Sequence, residues 1–201
     1  AAAYAYRYAR SCDVWVNDLN PRIYGIWKFL TPPDAARWAD ALPTTVEKGA
    51  QLNDITPAGA PDGLREWLRC SMYYGHDSRR TRTTITEWGA VNWHRVAPKL
   101  REVAPAVQHW YVTCIPWDRL DVDMPATWFI DPPYASRPNM YGVRFTDHIA
   151  LGARCDDLAA RGHQVIACDA IDAPWRPFRL LRRNPSYQGY APTVEAVWTA
   201  P

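Results

Sequence analysis

Residues 127–134 read TWFIDPPY, an apolar run that leads directly into Asp-Pro-Pro-Tyr. Residues 126–130 are nearly all apolar, which is typical of a parallel strand covered on both faces. Asp and Pro also favour ordinary turns, so a plain strand-ending turn is the alternative. In open α/β sheets, however, ligand chemistry takes place just beyond the carboxyl ends of the strands. The stretch therefore predicts a buried strand with a functional site directly after it.

Strand and helix patterns alternate on both sides of this stretch. Strands are predicted at 13–17, 109–113, 164–168 and 192–199, and helices at 21–30, 34–42 and 146–161, the last closed by Gly162. Apolar residues recur at helical spacing over 88–107, where Pro98 and Pro105 predict kinks or a break. The alternation favours an α/β fold with a mostly parallel sheet and helices on both faces.

The composition is that of an ordinary globular chain. Of the 201 residues, 48% are hydrophobic and 22% are charged, which excludes disorder and a coiled coil. The formal net charge of +2 argues against a general binder of polyanions. No apolar run approaches the roughly 20 residues that a membrane helix needs. One domain over 1–201, without a membrane anchor, is predicted.

Cysteine and histidine usage bears on compartment and metal binding. The 5 cysteines are odd in number and form no CxxC pair, which predicts free thiols, a reducing compartment and hence a cytoplasmic location. The 5 histidines have no metal-ligand spacing, so no metal site is predicted.

Several of these segments together resemble the DNA adenine-N6 methyltransferases of the Dam-like, phage-associated kind, which use S-adenosylmethionine. The likeness is strongest at 126–134 and extends to WVNDLNP at 15–21, HWYVT at 109–113, GHQVIAC at 162–168 and EAVWT at 195–199. It implies a Rossmann-like methyltransferase fold and methyl transfer to adenine in DNA. Residues 1–12 contain no glycine. The family's glycine-bearing cofactor loop is therefore expected ahead of Ala1, in a domain truncated at its amino end.

The same resemblance assigns cofactor contacts. The predicted cofactor-binding residues are Asn17, Asp18, Cys114, Ile115, Asp118 and Asp131. Asp18 would hold the ribose hydroxyls at the end of a strand, and Cys114, Ile115 and Asp118 would lie near the adenine ring. An acid after a strand is also a frequent helix cap, which is the alternative for Asp18.

The tetrapeptide supplies the implied catalytic residues, Asp131, Pro132, Pro133 and Tyr134. The exocyclic amine of adenine is a poor nucleophile because its lone pair is delocalised into the ring. Asp131 can accept one amino hydrogen and the backbone carbonyl of Pro132 the other, while the two prolines keep the turn rigid. Tyr134 offers a flat face on which a base extruded from the duplex can stack.

The chain between the predicted strands is longer than the strand–helix units of such a fold need. The additional residues, at about 31–90, lie where Dam-like enzymes carry their target-recognition region. The predicted DNA contacts are Tyr73, Arg79, Arg80, Arg82, Arg137, Asn139, Tyr141 and Arg144. For the arginines at 79–82 the alternative is a solvated loop. The predicted partner is double-stranded DNA with a flipped adenine, and the protein is expected to act as a monomer in a phage or a restriction-modification system.

Two other functions stay open from the sequence. Some RNA base methyltransferases carry a similar tetrapeptide, so RNA is the alternative substrate. The absence of a glycine loop also leaves a catalytically inactive, DNA-binding remnant as a third interpretation. A direct methyl transfer needs no covalent intermediate, so none of the cysteines is expected to be catalytic.

Overall fold

The apolar stretch forms a strand, as predicted, and pairs in parallel with a later strand. The computed structural model describes residues 12–72, 83–135, 145–184 and 193–200. It divides into two compact units, with the boundary between Ile115 and Pro116. The helix expected within residues 1–9 lies outside the described residues.

The first unit begins with a strand–helix–strand segment. Strand β1 (Trp15–Asn17) leads into helix α1 (Pro21–Leu30), and β2 (Tyr111–Thr113) pairs with β1 in parallel, with Asn17 opposite Thr113. Helix α1 begins where the sequence predicts it because Pro21 occupies its first turn. The side chain of Asn20 caps the helix by accepting a hydrogen bond from the backbone N–H of Arg22 at 3.0 Å.

Between α1 and β2, the described residues of the first unit form several short helices. They are a 3-10 turn at Ala35–Ala39, α2 (Leu52–Ile55), α3 (Asp62–Met72), α4 (Glu87–Asn92), a 3-10 turn at Trp93–Arg95, and α5 (Val96–Val107). Leu64, Leu68 and Met72 of α3 are fully buried with Leu100 of α5. Their spacing along α3 is that of one helix face, so this part of the predicted insertion belongs to the core of the unit.

The break predicted within 88–107 falls at the 3-10 turn rather than at a proline. Pro98 is the third residue of α5, where a backbone N–H would have no partner within the helix. Pro105 lies inside α5 near its end, and the helix continues through it to Val107. Neither proline therefore breaks α5, because position within the helix decides the cost of a proline.

The second unit contains a four-stranded sheet in the order β3-β4-β6-β5. Its strands are β3 (Thr127–Ile130), β4 (Gln164–Asp169), β5 (Arg179–Asn184) and β6 (Thr193–Thr199), and helix α6 (His148–Ala160) connects β3 to β4. Gly162 follows α6 with a φ of 87°, the left-handed conformation that the predicted helix end requires. Leu151, Cys155 and Leu158 of α6 are buried in the core of the unit with Val165 and Ala167 of β4.

The α/β class is confirmed, but the sheets are small and partly mixed. β3 pairs with β4 in parallel, whereas β6 pairs antiparallel with both β4 and β5. The sequence pattern did not indicate β5, and the segment from Asn184 to Thr193 is too short for the crossover that a parallel pair needs. The prediction of a mostly parallel sheet was therefore wrong, because β6 runs antiparallel to both of its neighbours. The side chains of β3 are exposed or half-buried rather than fully buried.

Helices α1 and α3 approach each other so closely at Gly63 that no space is left for a side chain. A Cβ atom on Gly63 would collide with the carbonyl oxygen of Gly25 and with the Cβ of Phe29. A Cβ on Gly25 would meet nothing within 4 Å.

We expect Gly63→Ala to lower the free energy of unfolding by about 1–3 kcal/mol, because the backbones of α1 and α3 must move apart. Gly25→Ala is the matched control. It should leave the stability unchanged or raise it by up to about 1 kcal/mol, since alanine favours the helix. Urea unfolding followed by tryptophan fluorescence measures both, and equal midpoints for the two variants would contradict the packing described here.

Candidate functional site

The tetrapeptide lies at the carboxyl end of β3, beside the end of β4. Ile130 is opposite Ala167, so the chains leave both strands at the same edge of the sheet. Asp131 is exposed, Pro132 is buried, and Pro133 and Tyr134 are half-buried. The acidic group of the motif therefore faces outward, while the prolines anchor the turn.

A histidine at the start of α6 holds one peptide group of this turn. The Nε2–H of His148 donates a hydrogen bond of 2.8 Å to the carbonyl oxygen of Pro133. The imidazole contacts two aromatic rings, with centroid distances of 4.8 Å to Phe145 and 6.0 Å to Trp175. These neighbours set the plane of the imidazole, so its N–H is aimed at the turn.

A fully buried carboxylate at the end of β4 contacts the same turn. Asp169 has no exposed surface, and its Oδ2 accepts hydrogen bonds from Trp175 Nε1 at 2.6 Å and, more weakly, from the backbone N–H of Ala135 at 3.5 Å. Its Oδ1 accepts from the backbone N–H of Ala170 at 2.6 Å. These N–H donors compensate a buried carboxylate for the water it has lost.

In the first unit, the structure brings together four of the predicted cofactor residues. Asn17 and Asp18 follow β1, and Cys114 and Ile115 follow its parallel partner β2. Asp18 is half-buried, and its backbone N–H bonds to the carbonyl oxygen of Thr113 at 3.2 Å. The Oδ1 atom of Asp18 accepts from the backbone N–H of Asn20 at 2.8 Å. Because Asn20 is the cap of α1, the alternative of Asp18 as the helix cap is wrong.

The side chain of Asn17 links the two strands. Its Oδ1 accepts hydrogen bonds from Thr113 Oγ1 at 2.9 Å and from the backbone N–H of Ile115 at 3.0 Å. Its Nδ2 donates to the carbonyl oxygen of Ile115 at 3.0 Å. This amide therefore shapes the segment after β2, a structural role that the sequence did not indicate. Its predicted cofactor contact stays a prediction.

The other predicted site residues lie elsewhere. Asp118 is exposed in the 3-10 turn Trp117–Arg119 of the second unit, which also contains Asp131. Every predicted DNA contact lies outside the described residues, in the segments 73–82 and 136–144. The predictions for Tyr73, Arg79, Arg80, Arg82, Arg137, Asn139, Tyr141 and Arg144 therefore stay predictions.

Three residues that the sequence did not single out contact the tetrapeptide or its supports, namely His148, Asp169 and Trp175. A signal existed for Asp169, because it directly follows a predicted strand, as Asp18 does. No local pattern marks His148 or Trp175, since their partners come from distant parts of the chain.

Comparison with known proteins does not assign the chain to a family. No family model matches the chain, and a search of curated protein sequences finds no match. Across the described ranges, no three or more His, Cys, Asp or Glu side chains cluster as metal ligands would. In the same ranges, no helix combines the length and apolar character needed to cross a membrane.

Two cysteines lie in contrasting environments. Cys114 is exposed after β2, whereas Cys155 is fully buried in α6. Burial raises the pKa of the Cys155 thiol to about 11, against the smaller opposite effect of Arg176. Such a thiol is ionised to roughly one part in a thousand at pH 8, and the thiolate is the reactive form.

We expect a thiol reagent at pH 8 to modify Cys114 quickly in the folded protein and to reach Cys155 only after unfolding. Peptide mass analysis at successive times measures both rates, with urea-unfolded protein as the control. Equal rates at the two cysteines in folded protein would contradict the burial of Cys155.

Proposed function

We propose that this protein is an S-adenosylmethionine-dependent methyltransferase that acts on the exocyclic N6 amine of adenine in DNA. The observation that carries the proposal is the placement of Asp-Pro-Pro-Tyr directly after β3, where the carboxyl ends of two parallel strands meet. This edge is where open α/β sheets place their chemistry. The resemblance of the surrounding segments to Dam-like enzymes supports the choice of adenine in DNA.

The turn offers the acceptors that amine activation needs. The exposed carboxylate of Asp131 can accept one amino hydrogen of the base, and the carbonyl oxygen of Pro132 can accept the other. Two acceptors in fixed positions favour the pyramidal amine, whose lone pair is localised on nitrogen. Pro133 and the buried Pro132 restrict the backbone, so little reorganisation is needed as the amine reacts.

Tyr134 completes the proposed base site. Its half-buried side chain offers an aromatic face, and the bases of a duplex reach such a face only when they are extruded. Stacking of a base on an aromatic ring is worth about 1–3 kcal/mol. Tyr134 therefore orients the purine, while Asp131 and Pro132 act on its amine.

The first unit contains a group suited to the cofactor. S-adenosylmethionine, when bound, supplies an electrophilic methyl group on a sulfonium centre. The ribose of this cofactor carries two adjacent hydroxyls, which a carboxylate at a strand end can accept together. Asp18 is a half-buried carboxylate in that position, and its local turn is already organised by the bond to Asn20. Asp18 would therefore hold the ribose.

We expect Asp131→Ala to lower methyl transfer by about 100-fold or more, because the lost acceptor acts mainly in the transition state. DNA affinity should stay within about twofold, since the carboxylate does not contribute to general backbone binding. The assay incubates protein and cofactor with unmethylated, PCR-amplified genomic DNA and measures methylated nucleosides by mass analysis after nuclease digestion. Asp172→Ala, which removes an exposed acid after β4, is the matched control and should retain activity.

A parallel reaction with unmodified RNA separates the substrate classes. Methylated adenosine in RNA but none in DNA would replace the proposal with an RNA methyltransferase. Cofactor binding without methyl transfer to either nucleic acid would indicate an inactive remnant. Wild-type turnover by Asp131→Ala would refute the mechanism.

Asp18→Asn should weaken cofactor binding by about 10-fold or more, because the charged acceptor for the ribose hydroxyls is lost. Asparagine retains an oxygen for the N–H of Asn20, so the turn before α1 persists. Equilibrium dialysis with radiolabelled S-adenosylmethionine measures the affinities of the wild type and of Asp18→Asn. Asp13→Asn, an exposed acid just before β1, is the control and should leave the affinity unchanged.

A further inference from the structure

The two peptide groups that flank Tyr134 are both held by side chains from outside the turn. On one side, the carbonyl oxygen of Pro133 accepts the hydrogen bond from His148, and on the other, the N–H of Ala135 donates to Asp169. The backbone direction at Tyr134 is set by these two peptide groups. The position of its ring therefore depends on residues that are not part of the tetrapeptide.

The two bonds differ in strength. The His148 bond is 2.8 Å long, whereas the Asp169 bond is 3.5 Å, at the limit for a hydrogen bond. Asp169 makes its short contacts elsewhere, at 2.6 Å to both Trp175 and Ala170, so its main role is to stabilise the end of β4. His148 therefore makes the shorter of these two hydrogen bonds to the turn.

The side chain of His148 is also restrained. Phe145 contacts the imidazole edge-on with an interplanar angle of 84°, and Trp175 lies on a tilted plane at 44°. The indole of Trp175 is in turn held by Asp169 and by an edge contact to Phe178 at 5.0 Å. A half-buried ring with two such contacts loses less conformational entropy than a fully exposed ring when it makes its hydrogen bond. The geometry is that of a preformed support rather than of a mobile surface side chain.

We propose that His148 is a positioning residue for Tyr134, acting through the Pro133 carbonyl to hold the tyrosine ring where a substrate base would stack. The restraint is a property of the fold, while its catalytic consequence rests on the proposed function. Stacking and in-line transfer tolerate little displacement of the base, because an error of about 1 Å can cost about 100-fold in rate. Packing alone would be satisfied by another ring at position 148, so the hydrogen bond is the distinguishing feature.

The positioning is tested on the folded chain by NMR of protein labelled with ¹³C in its tyrosine rings. The chain has 11 tyrosines, and the Tyr134 resonance is assigned by its loss in Tyr134→Phe. His148→Phe keeps an aromatic ring but removes the donor, so the Tyr134 resonance should shift or broaden while the others stay in place. His148→Gln retains an N–H in a similar place and should restore much of the wild-type spectrum.

A second histidine provides the matched control. His163 is buried in the same unit, accepts a hydrogen bond from the backbone N–H of Ala126 at 3.2 Å, and contacts Trp128 edge-on at 6.0 Å. It lies at the opposite end of the β3–β4 pair. His163→Phe should therefore leave the Tyr134 resonance unchanged. If His148→Phe does not fold, His148→Met, which also lacks a donor, takes its place.

The activity assay gives an independent readout. If the proposed function holds, His148→Phe should lower kcat by roughly 10- to 100-fold with the KM for S-adenosylmethionine within about twofold, and His148→Gln should recover much of the loss. An unchanged Tyr134 resonance in the variants without a donor, or no recovery in His148→Gln, would overturn the positioning role. If wild-type protein transfers no methyl group but the Tyr134 resonance responds as described, the proposed function fails and the positioning stands. If the wild type is active and His148→Phe has an undiminished kcat, the proposed function stands and the positioning role fails.

Discussion

The parallel pairing of β3 with β4 is the constraint on which the second unit depends. With Ile130 opposite Ala167, both strands end at the same edge of the sheet. Asp131 and Asp169 then follow neighbouring strand ends, although they are far apart in the chain. An antiparallel pair would have placed the two acids at opposite edges, and the tetrapeptide would have lost one of its supports.

Those two acids differ sharply in environment. Asp131 is exposed to solvent, whereas Asp169 is fully buried and surrounded by N–H donors. A buried carboxylate is tolerated only with such partners, because its desolvation would otherwise cost several kcal/mol. Asp169 thus stabilises the strand end, whereas the exposed Asp131 is the candidate for a functional role. One sheet edge carries a structural acid and a candidate functional acid side by side.

The first unit applies the same geometry with different residues. Asn17 and Asp18 leave β1 beside the residues that follow β2, and the amide of Asn17 fixes the backbone of Ile115 on the neighbouring segment. A side chain that bonds to a neighbouring backbone on both its oxygen and its nitrogen is a strong local restraint. The direction in which Asp18 leaves the strand is thereby set by its neighbour.

The local elements of this protein could be predicted from the sequence alone. The start of α1 at Pro21, the apolar run of β3 and the left-handed Gly162 after α6 each depend on residues close in the chain, and the structure places these elements where the patterns predict them. The antiparallel pairing of β5 and β6, the cap at Asn20, the structural role of Asn17 and the contacts of His148 and Asp169 with the turn became visible only in the folded structure. Strand direction and side-chain partnership depend on which distant segments meet, and a hydrogen bond between residues 15 or 34 positions apart leaves no periodic trace in the sequence. The tetrapeptide could be recognised in the sequence because its four residues are adjacent, whereas the residues that support it are brought there by the fold.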